Sequence, residues 1–563
     1  MPRVRVKSGC ITCRIRRVKC DETKPSCDRC RSTGRSCDGY APPSFSRRDL
    51  LAASHRSASG PIIRTLCTDP AFSTDAERRQ FDFFRSCTVP ATNSLFGSVF
   101  WNRIVLQLAH REPAIKYAVS ALSAVHQLAT LQERDSTCHH LQQNHAHSSY
   151  TRAVSQAQKL LSATSKEDLR TVLVLCVLFT CYENVRNEWR WAQTHLKSGL
   201  AILSYHWGKD SRGTEIAPIA DVLRRQHLAA LILSDTRMPY EHEKVDFPQA
   251  TNLHPSHDLD MFRDSLMNML SYLLHINGQY FRDFWTGSSP IMPNLEKHLR
   301  RAKLELRAWR IAFEQAIASR TLPRDQHAIA FIWLYYHVTN ILVEAGSNND
   351  EMRWDAFEHE FAMMIEHATR FVEYESKDTG LSGQKTLSFE MGLIMPLSLL
   401  GSRCRSPSLR TKSLKILGSK ERREGFWSST GAMEVQKALM NIEEDGLGEI
   451  HSAAEIPGEK RVHNIELMFH RQERQLSVHM MTLPYGLKGD WLIKTVRVPF
   501  AAADDMPHNS AQCRQGDIAT GDHKSGPSVT ALNLSLGQGS LASLACLDHM
   551  SKVTSIIQKH DDA

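Results

Sequence analysis

Six cysteines crowd into the first 37 residues, at Cys10, Cys13, Cys20, Cys27, Cys30 and Cys37. Their spacing, C-x2-C-x6-C-x6-C-x2-C-x6-C, is one half-motif written twice at an interval of 17 residues. Thiolates are soft ligands suited to zinc, which closes a tetrahedral shell of four in structural sites. Two zinc ions ask for eight ligand places, which six thiolates fill only if two sulfurs bridge both metals. The twofold repeat points to equivalent positions as the bridges. With every place taken by a thiolate, no open position is left for water chemistry, so the metal is structural.

Each half reads as a helical turn followed by an extended strip. Cys10 and Cys13 lie three apart, which puts their thiols on one face of a helix. The stretch from Ile11 to Lys19 can continue that helix and carries Arg14, Arg16, Arg17 and Lys19 on its other faces. In the second half, Gly34 is placed to stop the helix, and Pro25 sits where the chain must turn between the halves. Forty residues bury too little apolar surface to fold alone, so metal binding is expected to supply the folding free energy, on the order of ten kcal/mol.

Charge follows the same division. Residues 1–40 hold 11 Lys/Arg against 4 Asp/Glu, a formal +7, while the other 523 residues of the 563 carry only +1. Two zinc ions with six thiolates lower the module to about +5. A basic patch so small and dense points to a polyanion, nucleic acid first. Arginine pairs bidentately with guanine O6 and N7, whereas lysine and the remaining arginines anchor phosphates.

The run Lys7-Ser8-Gly9-Cys10-Ile11-Thr12-Cys13-Arg14-Ile15-Arg16-Arg17-Val18-Lys19-Cys20-Asp21-Glu22 resembles the fungal binuclear zinc-cluster (Zn2Cys6) transcription factors. The second half, Pro25 to Cys30 and Gly34 to Tyr40, is similar to the same family. The resemblance implies that Cys10 and Cys27 bridge. One zinc then takes Cys10, Cys13, Cys20 and Cys27, and the other takes Cys10, Cys27, Cys30 and Cys37. It also implies a helix end in the major groove over a CGG-like triplet, with Arg16 and Arg17 at the bases and Arg14 and Lys19 nearer the backbone. A nuclear regulator of RNA polymerase II genes in a fungus is the implied function. Arg14 to Lys19, with Arg47 and Arg48, is a basic cluster of the kind that serves nuclear import.

Residues 41–75 contain Pro42, Pro43, Pro61 and Pro70 among scattered serines and read as a flexible linker. Many family members place a heptad coiled coil here, but this stretch has no run of three heptads. Binding one half-site as a monomer and pairing through the large domain both remain open.

Residues 76–500 read as an all-helical regulatory domain, making the whole chain mainly α. Helical spacing marks Pro113 to Leu131, Leu169 to Tyr182, Trp191 to Tyr205, Met261 to Tyr280, Leu295 to Ala318, Ala328 to Glu344 and Trp354 to Tyr374. Leu169 to Tyr182 is apolar nearly throughout, which predicts burial on every side and makes Cys176 and Cys181 core thiols. Ten tryptophans, none before Trp101, fit a large core after the linker. Glu77 to Phe84, Glu112 to Leu122, Cys181-Tyr182-Glu183 and His195 to Gly199 resemble the fungal-specific regulatory domain, a match that fades near residue 210. The resemblance implies a helical effector domain, with a ligand that varies among members, that receives a signal or contacts the transcription machinery or co-regulators.

The longest apolar run, Val172 to Cys181, is about half of the roughly 20 residues a membrane span needs. The N-terminus lacks the apolar run of a secretory signal, so a reducing compartment and free thiols are expected. Cys138-His139-His140 with His145 and His147 has the composition of a metal site, but reads better as a polar connection between two helices. No zinc-protease, P-loop, nucleophile-elbow or dinucleotide signature occurs, so no catalytic residue is named and the chain is not expected to be an enzyme. The alternatives are a DNA-tethered interaction module or repressor without activating function, and an enzyme in the helical domain. Residues 501–563, rich in Gly, Ser, Asp and Asn, read as a mostly disordered tail, with Leu541 to Ile557 able to form a short amphipathic helix.

Overall fold

In the computed structural model, helices follow one another from Asp75 to Glu444, and a three-stranded sheet ends the described residues at Pro499. The structure describes residues 10–37 and 72–499, apart from 11, 14–17, 25, 35–36, 73, 93–95, 131–135, 163–167, 207–212, 233–252, 287–294, 319–325, 347–349, 380–384, 426, 471–474 and 487–491. The described residues fall into two units, one within Met1–Asp69 and one within Pro70–Ala563. The linker reading of 41–75, apart from its last residues, and the tail reading of 501–563 lie outside the described residues.

The larger unit begins where Thr74 caps a helix, its hydroxyl accepting from the Glu77 amide at 3.2 Å. Helices Pro113–Thr130 and Ser136–Ser162 pack along each other, and Asp168–Val185 lies beneath them. Every residue from Thr171 to Val185 is buried, which is why an amphipathic stripe is missing there. Trp189–His206 then crosses close over it. A Cβ on Gly199 would stand 3.0 Å from the Cβ of Cys176, so the missing side chain permits the approach. Cys176 and Cys181 are both buried, and Cys181 accepts from Gln226 Nε2 at 3.1 Å.

A second core gathers Leu259–Thr286, Leu295–Ala318, Gln326–Ala345 and Glu358–Thr379. Trp309, Phe262 and Phe313 interlock at its centre, with Trp309 Nε1 donating to the Phe262 carbonyl at 3.1 Å. Gln326–Ala345 is long and apolar enough to cross a membrane by length and composition, which corrects the expectation that no stretch reaches that length. No unbroken apolar run marks it in the sequence, because His327, His337, Thr339 and Asn340 interrupt the apolar residues. Most of the helix is enclosed by its neighbours, as in the core of a large domain.

The domain is mainly helical but not throughout. Strands Val462–His470, Gln475–Thr482 and Leu492–Pro499 form an antiparallel sheet, and three short strands at 386–388, 422–424 and 427–428 form another. Val462, Val478, Met480 and Val498 pack against Ala438 and Leu439 of the helix Ser429–Glu444. Period-two alternation is broken here by His463, Asn464 and the paired Met480-Met481, so a strand pattern was hard to read.

A buried ionic network ties this sheet to the helices. Arg405 and Arg410, both essentially without solvent exposure, donate to the Glu443 carboxylate, which also accepts from the Val462 amide at 2.8 Å. Arg405 and Arg403 each reach Glu351 at 3.0 Å, and Arg461 clasps Asp355 through two contacts of 2.7 Å.

Candidate metal centre and nucleic-acid interface

The second half-motif shows how the backbone presents its thiols. Helix Asp28–Arg31 starts at Cys27, whose own sulfur accepts from the Cys30 amide at 3.4 Å, as an N-cap side chain does. That turn swings Cys27 and Cys30 inward together. The helix ends after one turn, and Gly34 adopts φ +65°, a left-handed conformation that costs glycine no Cβ clash. In the first half the Cys13 amide donates to Cys10 sulfur at 3.3 Å, repeating the contact 17 residues earlier. Thr12 and Cys13 are helical, but Val18, Lys19 and Cys20 are not, so the helix does not continue to Lys19 as its spacing allowed.

Six sulfurs meet in two overlapping groups. Cys10, Cys13, Cys20 and Cys27 form one, and Cys10, Cys27, Cys30 and Cys37 the other, with the ligand atoms of each within 4.8 Å of one another. Cys10 and Cys27 sulfurs stand 3.5 Å apart, Cys13 to Cys27 is 3.7 Å, and Cys10 to Cys30 is 3.8 Å. Four thiolates at about 2.3 Å from a tetrahedral zinc lie about 3.8 Å from each other, so the donor set and its spacing fit the metal. Cys10, Cys13, Cys27 and Cys30 are fully buried, while Cys20 and Cys37 are partly exposed. Burial pushes the four inner thiols above their ordinary pKa. A dication supplies the positive charge that lets such sulfurs ionise.

Asp21 performs a role that its spacing did not reveal. Its carboxylate accepts from the amides of Arg29 at 2.7 Å, Asp28 at 3.0 Å and Thr23 at 3.2 Å, and from the Thr23 hydroxyl. It thereby pins the connection between halves to the N-terminus of Asp28–Arg31. The Thr23 hydroxyl and these amides hold its carboxyl well below the usual carboxylate range. The only signal available was an acid seven residues ahead of a helix start.

Of the basic residues expected to meet nucleic acid, Lys19 is exposed. Arg14, Arg16 and Arg17 lie outside the described residues. Arg29 and Arg31 are also exposed, with Arg31 paired to Asp28.

The histidine-rich stretch does not form a connection between helices. Residues 136–162 are one continuous helix. His145 Nε2 pairs with the Ser120 hydroxyl at 3.0 Å and the Ser149 hydroxyl at 3.4 Å, and among the described residues it joins no metal-holding group.

Comparison with known proteins bears on both units. The fungal-specific transcription factor domain matches residues 79–440, well past residue 210, near which the motif resemblance fades. The fungal Zn(2)-Cys(6) binuclear cluster domain matches residues 8–46. Among similar proteins, the aspercryptin biosynthesis cluster-specific transcription regulator atnN of Emericella nidulans is 22% identical over 566 residues, 81% of this chain and 91% of its own. Transcription regulator lscL of Purpureocillium lilacinum is 27% identical over 209 residues, covering 34% of this chain and 48% of its own. Transcriptional regulatory protein moc3 of Schizosaccharomyces pombe is 46% identical over 67 residues, 11% of this chain and 13% of its own. No solved structure matches.

Proposed function

From the premise that this chain belongs to the fungal-specific transcription factor family and carries a Zn(2)-Cys(6) cluster, we propose that it reads CGG-like triplets in the major groove. It is a DNA-binding transcription regulator, and zinc is its structural cofactor. Its own residues take the following roles. Cys10 and Cys27 bridge two zinc ions; Cys13 and Cys20 complete one shell, Cys30 and Cys37 the other. Arg16 and Arg17 read guanine edges, and Arg14 and Lys19 bind phosphates. Residues 1–40 are the DNA reader, 41–75 the linker, 76–500 the regulatory domain that meets co-regulators, and 501–563 the tail. The protein works in the nucleus on RNA polymerase II genes, and its zinc serves folding rather than catalysis.

The observation that supports this reading best is the overlap of two thiol quartets on Cys10 and Cys27, with the basic run Arg14 to Lys19 lying between Cys13 and Cys20 in the sequence. Selection of the full chain on a randomised duplex library, across several salt concentrations, tests it. CGG-like enrichment lost on chelation and weakened by Arg17→Ala is the expected result. Equal binding to all sequences, or binding indifferent to chelation, overturns it.

A further inference from the structure

Helix Leu295–Ala318 buries one stripe and leaves the opposite one in solvent. Ala302, Leu306, Trp309, Phe313 and Ala316 face the core. On the other side Leu304 is 66% exposed and Ile311 55% exposed. The two stand about two helical turns apart, so they share one line along the helix, with exposed Ala308 between them. A single exposed leucine is ordinary on a protein surface. Two large aliphatics in register are not explained by the helix itself. Isoleucine is stiff at χ1 and a weaker helix former than its straight-chain alternatives, and both side chains keep apolar surface in water.

Cations surround this apolar line. The helix carries six basic residues, Lys297, Arg300, Arg301, Lys303, Arg307 and Arg310, against Glu296, Glu305 and Glu314. Lys297, Arg300, Arg301 and Arg307 are all exposed, and helical spacing puts them on the same outward side as Leu304. Arg300 meets Glu296 at 3.3 Å and Arg310 meets Glu314 at 2.8 Å, both as exposed pairs one turn apart. Such pairs are weak and exchange readily for another carboxylate. Lys297, Arg300 and Arg301 lie toward the N-terminal end of the helix, where the backbone dipole is itself positive, so the two fields add.

The combination narrows the class of partner. A second copy of this face would bring like charge onto like charge. Nucleic-acid phosphates would satisfy the cations but leave Leu304 and Ile311 against a polar backbone. A helix bearing carboxylates beside its own apolar stripe meets both requirements. We propose that the outward face of Leu295–Ala318 docks an acidic amphipathic helix of a partner protein, with the partner's apolar side chains on Leu304 and Ile311 and its carboxylates on Lys297, Arg300 and Arg301. The line from Lys297 to Ile311 is about 21 Å long, which an occupant of about four helical turns covers. The proposal rests on the reading that the regulatory domain meets co-regulators, and names the surface and the chemistry.

Fluorescence anisotropy of the full, zinc-loaded chain with a labelled synthetic peptide tests it. The probe is about 20 residues of alanine and glutamate, with leucines every three or four positions along one helical face. Its control has lysine in place of every glutamate. The expected result is saturable binding of the glutamate peptide, about 10-fold tighter than its control and weakening as salt rises. Leu304→Ser with Ile311→Ser should weaken it about 10-fold, as should Arg300→Gln with Arg301→Gln, which also flattens the salt dependence. No saturable binding, equal binding of the two peptides, or indifference to either pair of substitutions overturns the proposal. Displacement of the peptide by a duplex lacking CGG triplets, with duplex binding unchanged by Leu304→Ser and Ile311→Ser, makes the face a phosphate contact and also overturns it. A dimer that the same serine pair dissociates assigns the face to a second copy, with the same consequence. A measurement on the unsubstituted chain guards against a misfolded variant: acetylation of exposed Lys297, mapped by mass spectrometry, should fall at saturating glutamate peptide, and unchanged acetylation refutes the site. The assay contains no target DNA, so it can fail while the reading of CGG-like triplets stands.

Discussion

The sulfurs of Cys10 and Cys27 stand 3.5 Å apart, and these two residues alone belong to both thiol quartets. The surrounding backbone repeats this symmetry. The Cys10 amide donates to Cys20 sulfur at 3.4 Å, and the Cys27 amide donates to Cys37 sulfur at 3.4 Å. A 17-residue shift maps one contact onto the other, so the repeat in the sequence is also a repeat of hydrogen bonds.

Removing a shared sulfur should therefore cost more metal than removing an outer one. Cys27→Ala is expected to lower zinc from two ions per chain toward none, whereas Cys20→Ala damages one shell and spares the other. Zinc released to a chromophoric chelator after denaturation measures both. Equal losses from the two variants would contradict shared bridging.

Base reading and phosphate anchoring separate in a binding assay. Arg17→Ala should lose about 1–3 kcal/mol of discrimination at the guanine positions. Lys19→Ala, at an exposed position, should weaken all sequences alike and reduce the salt slope by about 1. Fluorescence anisotropy on matched and mutated duplexes at several salt concentrations distinguishes them.

The buried network around Glu443 predicts a large single-site effect. Burial opposes ionisation of Glu443, but Arg405 and Arg410 outweigh it and lower its pKa to about 2. Glu443→Gln removes the charge that Arg405 and Arg410 share, leaving them only Glu351 at 3.0 Å and Glu444 at 3.4 Å, and should cost about 3 kcal/mol in urea unfolding. Because the folded pKa is depressed, this stabilisation is present above the unfolded value of about 4.3 and is lost as pH falls through about 2.

Two buried histidines set a milder acid dependence. Burial lowers His126 and His195 to about 4; His126 Nδ1 pairs with the Thr88 hydroxyl at 2.8 Å and His195 Nε2 with the Tyr150 hydroxyl at 3.2 Å. Depressed folded values mean that their contribution is present above the ordinary 6.5 and is lost as pH falls toward 4. The melting temperature of the larger unit should decline across that window, and a flat profile would contradict it.

Gly392 has no room for a side chain. Its amide donates to the Glu424 carboxylate at 2.9 Å, as do those of Leu393 at 2.9 Å and Ile394 at 3.0 Å, and an added Cβ would lie 2.4 Å from Glu424 Oε1. Three amides hold that carboxylate in place, so it cannot swing aside. Gly392→Ala should cost about 1–3 kcal/mol by thermal unfolding.

Much of the helical body was legible because packing imposes a period that residues obey locally. Leu295 to Ala318 agrees at both ends with its helix, and Leu169 to Tyr182 lies inside one only slightly longer. Gly213–Ile232 escaped because Pro218 stands inside it, and a proline reads as a boundary. The sheet at 462–499 escaped because His463, Asn464 and the paired Met480-Met481 interrupt the period-two alternation that marks a strand. No local pattern marks Arg405, Arg410 and Arg461; the fold brings Glu443 and Asp355 to them.

The sequence by itself determined that the N-terminus gathers thiols for metal in two matching halves, since cysteine spacing constrains ligand geometry within a few residues. It also determined a mainly helical body, because helix-forming contacts lie only three or four residues apart. Only the tertiary structure decided that Asp21 joins the halves and that buried guanidinium groups clamp the sheet. Those facts depend on residues up to about a hundred positions apart meeting in space, and no local pattern encodes such a meeting.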